Sequence, residues 1–173
     1  AGAAIAINPE KVMKAREDAA LKTMLNRAEL RYADGVGVVK AMQKKLGRKV
    51  ERVPGCETWE AIMYRAAAKQ VPVFLVGAKP EVLQQTRDKL SAAGVQVVGA
   101  QDGYFKDEAA LLQQIQQSGA KIITIAMGSP KQELLIERAK KIIPDAYFMG
   151  VGGTYDVFTG NVKRAPALWC KLN

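Results

Sequence analysis

Apolar residues come in short, nearly unbroken runs, separated by longer stretches of helical period. The run AAIAI at 3–7 reads as a buried strand. Asn8-Pro9-Glu10 follows it, with Asn8 suited to a helix N-cap and Pro9 to the first helical position. In ETWEAIMYRAAAK (57–69), Trp59, Ile62, Met63 and Ala66 fall on one helical face. VPVFLVG (71–77) is a strand ending in glycine, and KPEVLQQTRDKL (79–90) is a helix opened by Pro80. VQVVGA (95–100) is a strand. DEAALLQQIQQSG (107–119) is a helix with Leu111, Leu112 and Ile115 inward and Gly119 at its stop. KIITIAMG (121–128), SPKQELLIERAKKI (129–142) and AYFMGVGG (146–153) complete the series as strand, helix and strand.

Alternation of this kind, with strands apolar on both faces, predicts an α/β fold: a mostly parallel, Rossmann-like sheet with helices on both faces. Ligands of such sheets sit outside the carboxyl ends of the strands. The polar punctuation falls at such ends: Asn8, GAKP (77–80), AQDGYF (100–105), MGSPKQE (127–133) and GVGGTYD (150–156).

RYADGVGVVK (31–40) sets a lone carboxylate, Asp34, ahead of an apolar helical run. Locally this is N-cap and turn chemistry. The flanking Gly35 and Gly37 also leave room for a substrate, so a catalytic reading stays open beside the structural one. In ITIAMGSPKQE, Ser129 suits a cap and Pro130 the first helical position, so the helix start forms either an anion site or a well-made βα turn. VFLVGAKPEV repeats the design with Lys79 beside the helix start, and two such starts on one rim suit a diphosphate.

At 173 residues, 49% apolar and 25% charged, the chain is expected to form one domain over 1–173. No apolar run approaches the roughly 20 residues of a membrane span. Two distant cysteines, Cys56 and Cys170, point to reduced thiols and a cytoplasmic setting. The chain contains no histidine, which excludes Ser-His-Asp and Cys-His catalysis and leaves Asp, Glu, Lys, Tyr or Cys as a base. The net charge is +9, with a cluster at Lys40, Lys44, Lys45, Arg48, Lys49 and Arg52. That cluster suits a solvated face, a nucleic-acid surface, or a patch facing phosphate or lipid. It lacks the interleaved aromatics of single-strand binders, so a nucleic-acid partner is not expected. GVGGT has the wrong glycine spacing for a dinucleotide fingerprint, and neither a Walker loop nor an Asp-x-Asp pair is present. The last residues, APALWCKLN, read as a helix barely begun, with Trp169 and Leu172 lacking the rest of a stripe; the chain is expected to be truncated there.

YADGVGVV, FLVGAKPEV, DGYF, MGSPKQE and GVGGTYDVFTGNVKRAP occur in this order. Together they resemble the WecG/TagA/CpsF glycosyltransferases over essentially the whole chain. AINPEK and GGTYDVFTGNVKRAP look most like the branch that transfers N-acetyl-D-mannosaminuronic acid in enterobacterial common antigen synthesis. A sister branch uses UDP-N-acetylmannosamine for wall teichoic acid. The resemblance implies a bacterial, inverting transferase, peripheral on the inner face of the plasma membrane. It would move a sugar from UDP to undecaprenyl-diphosphate-linked N-acetylglucosamine. Membrane contact would come through a basic C-terminal segment beyond this chain, a metal cofactor is not expected, and an oligomer is compatible.

On that resemblance Asp34 matches the family's acidic residue and takes the role of general base. Asn8, Tyr104, Gly128, Ser129, Gln132 and Asp156 become donor-binding candidates: Tyr104 by stacking on uracil, Gln132 by its paired donor and acceptor, Asp156 by accepting from ribose or base. Lys79, Lys163 and Arg164 become candidates for the diphosphate or lipid head group. Ala6 departs from the family, where a threonine is common two residues before the asparagine. Two rivals stand beside this reading: a nicotinamide-dependent oxidoreductase, and a non-catalytic module binding nucleotide or nucleic acid.

Overall fold

The computed structural model describes residues 1–163. Six parallel strands stand in the order β2-β1-β6-β5-β3-β4. In chain order the elements are β1 (Gly2–Ile7), α1 (Pro9–Glu17), α2 (Ala19–Arg27), β2 (Leu30–Ala33), α3 (Val36–Leu46), α4 (Gly55–Ala68) and β3 (Val73–Gly77). They continue with α5 (Pro80–Ala92), β4 (Val97–Gln101), α6 (Glu108–Gln117), β5 (Ile122–Ala126), α7 (Lys131–Ile142), β6 (Tyr147–Gly150) and α8 (Thr154–Phe158). This is the Rossmann-like α/β architecture that the strand and helix periods predict.

Successive residues of a strand point to opposite faces, and the core divides accordingly. Phe74, Val76, Ile123, Ile125 and Phe148 pack with Leu111, Leu112 and Ile115 of α6 and Leu135 and Ile136 of α7. Leu75, Val73 and Met149 pack on the other face with Trp59 and Met63 of α4, Leu83 and Leu90 of α5, and Tyr155 of α8. Ile5 meets Leu21 and Leu25 of α2 in a smaller cluster. Contacts of α1 with α2, and of α2 with α7, place α1 on the α6–α7 side. Trp59 is fully buried, its ring 5.5 Å from that of Tyr155 and 5.1 Å from that of Phe158, so α4 and α8 meet through an aromatic cluster. Truncating such a side chain costs about 3–5 kcal/mol.

Local chemistry explains the boundaries. Asn8 accepts the Lys11 N–H at 2.8 Å, and Pro9 opens α1. Pro80 opens α5, and Gly119 follows α6 in the left-handed region at φ 70°. Three elements go beyond the hydrophobic pattern: α2, β2 and the five-residue α8, which follows β6 after that strand stops at Gly150. α2 is capped by Asp18, whose side chain accepts from Leu21 N–H. β2 is a four-residue edge strand with two exposed residues, Leu30 and Arg31, so it shows no apolar run. Among the described residues no helix is long and apolar enough to cross a membrane.

Candidate active site

The pairing of β1 with β6 ends at Ile5 and Gly150. Beyond it the two strands part: β1 leads to α1 on one face, and β6 leads to α8, which packs with α4 and α5 on the other. A crevice of this kind is where open α/β sheets take ligands. Here it is a cleft of about 500 Å³ over the carboxyl ends of β2, β1, β6 and β5.

Asp34 follows β2 and lines the cleft. It does not cap the helix that follows it. α3 begins after Gly35, with no side-chain cap bond. The carboxylate reaches across instead to the start of α4, where Oδ2 accepts the Gly55 N–H at 3.0 Å and Oδ1 accepts from Arg52 Nε at 3.2 Å. α4 has only Pro54 at its own cap position, so Asp34 supplies the missing acceptor. A Cβ on Gly55 would come within 3.1 Å of Asp34 Oδ2, a contact tight enough to press on the carboxylate. Each carboxylate oxygen keeps a further lone pair for a hydroxyl proton. Tyr32, two residues earlier, also lines the cleft; burial first, and then the negative Asp34, push its phenol up.

Gly35 and Gly37 serve a different purpose from the one their sequence suggests. A Cβ at either would meet the Pro9 ring, at 3.0 and 3.3 Å, so these glycines admit Pro9 rather than a substrate. Asn8 lines the cleft, and its oxygen is already committed to Lys11 N–H, leaving the amide group as its donor.

The β5–α7 turn differs from the expected cap. The Ser129–Pro130 peptide is cis, Pro130 takes the N-cap position, and α7 starts at Lys131. Ser129 Oγ caps nothing; it is buried without a partner among the described residues. The Gln132 N–H is used by Gly128 O at 3.0 Å. The two expected helix starts share the carboxyl edge, but their helices leave it on opposite faces. α7 lies with α6, while α5 packs with α8 on the opposite face.

Beneath Ser129 lies a polar network. Lys11 and Glu133 are buried and paired at 2.9 Å, and Lys11 Nζ also donates to Ala6 O at 3.0 Å. Gln132 Nε2 donates to Glu133 Oε1 at 3.0 Å, and Gln132 Oε1 accepts the Gly152 N–H at 3.0 Å. A Cβ on Gly150 would stand 2.8 Å from Gln132 Nε2, so glycine at this position lets the end of β6 close onto that side chain. Asp156, in α8, lines the cleft with no side-chain bond among the described residues. Thr154 donates to Val151 O at 2.6 Å and sits 3.4 Å from Cys56 Sγ, a free thiol in the first turn of α4.

The structure therefore brings together Asn8, Asp34, Gly128, Ser129, Gln132 and Asp156. It leaves out three other candidates. Tyr104 stands 66% exposed beyond β4, on the far edge strand, where it cannot stack over the cleft. Lys79 is the exposed cap of α5, on the β3 side. Lys163 is exposed and does not line the cleft, although its neighbour Val162 does. Arg164, Cys170 and the expected terminal helix with Trp169 and Leu172 lie outside the described residues.

Lys11, Tyr32, Glu133, Gly55, Cys56 and Thr154 are cleft features that sequence reasoning did not single out. Lys11 in AINPEK, Tyr32 in YADGVGVV, Glu133 in MGSPKQE and Thr154 in GVGGTYD stood inside quoted motifs without a role, whereas Gly55 lay in none. Among the described residues no group of three or more His, Cys, Asp or Glu is arranged to hold a metal ion.

The family model for the glycosyl transferase WecG/TagA/CpsF family matches residues 1–173. A nucleotide-sugar donor and an acceptor are thereby implied, and the cleft at the carboxyl edge is where a Rossmann-like sheet would take the nucleotide. With that match spanning the chain and a Rossmann-like sheet beneath the cleft, the protein belongs to the WecG/TagA/CpsF family of glycosyltransferases.

Proposed function

We propose that this chain transfers N-acetyl-D-mannosaminuronic acid from UDP to N-acetylglucosamine on a polyprenyl diphosphate, with inversion and with Asp34 as general base. One observation carries the reading: a carboxylate in the cleft, held from both sides by Gly55 N–H and Arg52, with free lone pairs toward the cavity. The acceptor oxygen forms a bond to the anomeric carbon as its proton passes to Asp34. The bond from that carbon to the β-phosphate oxygen breaks, and its electron pair leaves with UDP. Positioning of this kind contributes about 10²–10⁴-fold.

Gln132 and Asp156 would hold the nucleotide from adjacent strand ends, and Asn8 would donate its amide to a sugar. Gly128 and Ser129 would border the diphosphate. No resident metal is part of this proposal. The site would work at the inner face of a bacterial plasma membrane.

A second reading, a neutral N-acetylmannosamine donor, draws on the cleft lining. Among the described residues the cation lining it is Lys11, which Glu133 already neutralises, so a uronate carboxylate finds no uncommitted cation there. Offering both UDP-sugars in parallel with a synthetic lipid-linked acceptor decides between them. Transfer with inverted anomeric configuration is expected. Retention of configuration would remove the single-displacement mechanism, and transfer from the neutral donor alone would overturn the uronate assignment.

A further inference from the structure

Helix α3 stands apart from the packed core. Val39 is its one buried residue. The helix and the turn after it carry Lys40, Lys44, Lys45, Arg48 and Lys49, with no acidic residue from Gly35 to Val50. None of these five cations is in an ion pair among the described residues. Met42 and Leu46, one turn apart, are 38% and 48% exposed. An ordinary solvated helix mixes both signs of charge and hides such side chains. One sign of charge beside exposed apolar residues is the pattern of a helix that lies on an anionic lipid surface.

Its position is as telling as its composition. The segment leaves the cleft at Asp34, and its first turn packs on Pro9 beside Asn8. It returns to the cleft at Arg52, whose guanidinium reaches Asp34 at 3.2 Å. Both ends of the basic stretch are thus fastened at the catalytic candidate. Residues 35–52 contain no aromatic side chain, so the stacking platforms of a single-strand nucleic-acid surface are missing.

We propose that α3 and the turn after it form a docking surface for the anionic headgroups of a bilayer, seating the cleft mouth against the membrane. The surface is inferred from charge and exposure alone; its purpose, delivery of a lipid-linked acceptor, rests on the function proposed above.

The 173-residue chain is tested by co-sedimentation with phosphatidylcholine vesicles, with and without phosphatidylglycerol. The variant carries Lys40→Gln, Lys44→Gln, Lys45→Gln, Arg48→Gln and Lys49→Gln together. The native chain is expected to pellet with the anionic vesicles only. Each cation near such a surface is worth roughly fivefold in partitioning, so the variant is expected to lose at least about a hundredfold with its melting temperature unchanged. Met42→Ser with Leu46→Ser is expected to weaken the same binding at constant charge. Equal pelleting of native and charge variant overturns the proposal. So does a native chain that ignores anionic vesicles, or one that binds an oligonucleotide which vesicles cannot displace. Activity separates this surface from the transferase reading. The charge variant is expected to keep its rate on a short soluble acceptor and lose it on a bilayer-embedded one. A native chain that pellets but glycosylates neither acceptor sinks the transferase reading and leaves the docking surface standing.

Discussion

The turns after β3 and β5 are spelled almost alike, GAKPE and GSPKQE, yet they end in different surroundings. After β3 the chain is stitched shut. Ala78 N–H donates to Ala126 O at 2.9 Å, and Gly103 N–H donates to Ala78 O at 2.9 Å, tying the exits of β3, β4 and β5 together. Gly77 permits this at φ 104°, because a Cβ there would lie 2.3 Å from Ala126 O. Lys79, Asp102 and Tyr104 are left facing outward or at the rim. After β5 the next helix takes the other face of the sheet, Gln132 and Glu133 turn inward, and Lys11 arrives from α1 to meet them. Glycine and proline mark where a chain turns. Whether the turn borders a ligand depends on whether the neighbouring exits are tied together or part.

The widest test of that contrast is Asp34→Asn against Asp102→Asn. The first is expected to lower single-turnover rate by about 10²–10⁴-fold, because an amide cannot take the proton. Asn still offers an oxygen to Gly55 N–H but loses the Arg52 charge, so the melting temperature should fall only slightly. Asp102→Asn should change neither. A near-normal rate for Asp34→Asn would return that carboxylate to its role as the remote cap of α4.

Next in size is Lys11→Met against Lys79→Met. Removing one partner of a buried ion pair costs about 3–5 kcal/mol, whereas an exposed cap lysine falls within about 0.5 kcal/mol of wild type. Denaturant midpoints read both. The double variant Lys11→Met with Glu133→Leu should recover much of the loss, since no uncompensated charge remains. Failure to recover would mean that the hydrogen bonds to Ala6 and Gln132, rather than the buried charge, dominate.

Smaller again are the binding effects. Gln132→Ala and Asp156→Ala are each expected to weaken UDP binding by about 1–3 kcal/mol, while Tyr104→Ala leaves it alone. Calorimetry on the three variants sharpens the division of the sheet edge, and a weakened Tyr104→Ala would break it. The smallest expected change is none: UDP affinity should be the same with and without EDTA. Binding that vanishes in EDTA would refute a metal-free site.

Much of this architecture was legible from apolar period and punctuation, because five of the six strands lie in short apolar runs with glycine or proline nearby, although β4, at one edge, is only half-buried. β2 was not, since an edge strand reading Leu-Arg-Tyr-Ala with two outward residues carries no such run. α2 escaped although Leu21 and Leu25 are spaced one turn apart and Asp18 caps it. Asp34, Gln132 and Asp156 were visible as polar residues in ordered motifs. Their partners were not: Gly55 lies 21 residues from Asp34, and Gly152 lies 20 from Gln132, so only the folded sheet joins them. Lys11 stood inside AINPEK but was given no role, because a lysine in a first helical turn looks exposed until Glu133 is brought beside it. Tyr104 misled for the complementary reason, as its motif lies at a strand end that the fold puts on the far edge.

The aromatic cluster joining α4 to α8 makes the cleft observable. Asp34 holds the first residue of α4, Thr154 and Asp156 lie on α8, and Trp59 touches both Tyr155 and Phe158. Any shift of α4 against α8 must change the surroundings of that indole. The chain has two tryptophans, so Trp169→Phe leaves Trp59 as the sole emitter. Its fluorescence then becomes a built-in gauge of how the helix held by the candidate base sits against the helix that carries Asp156, readable in real time without a label.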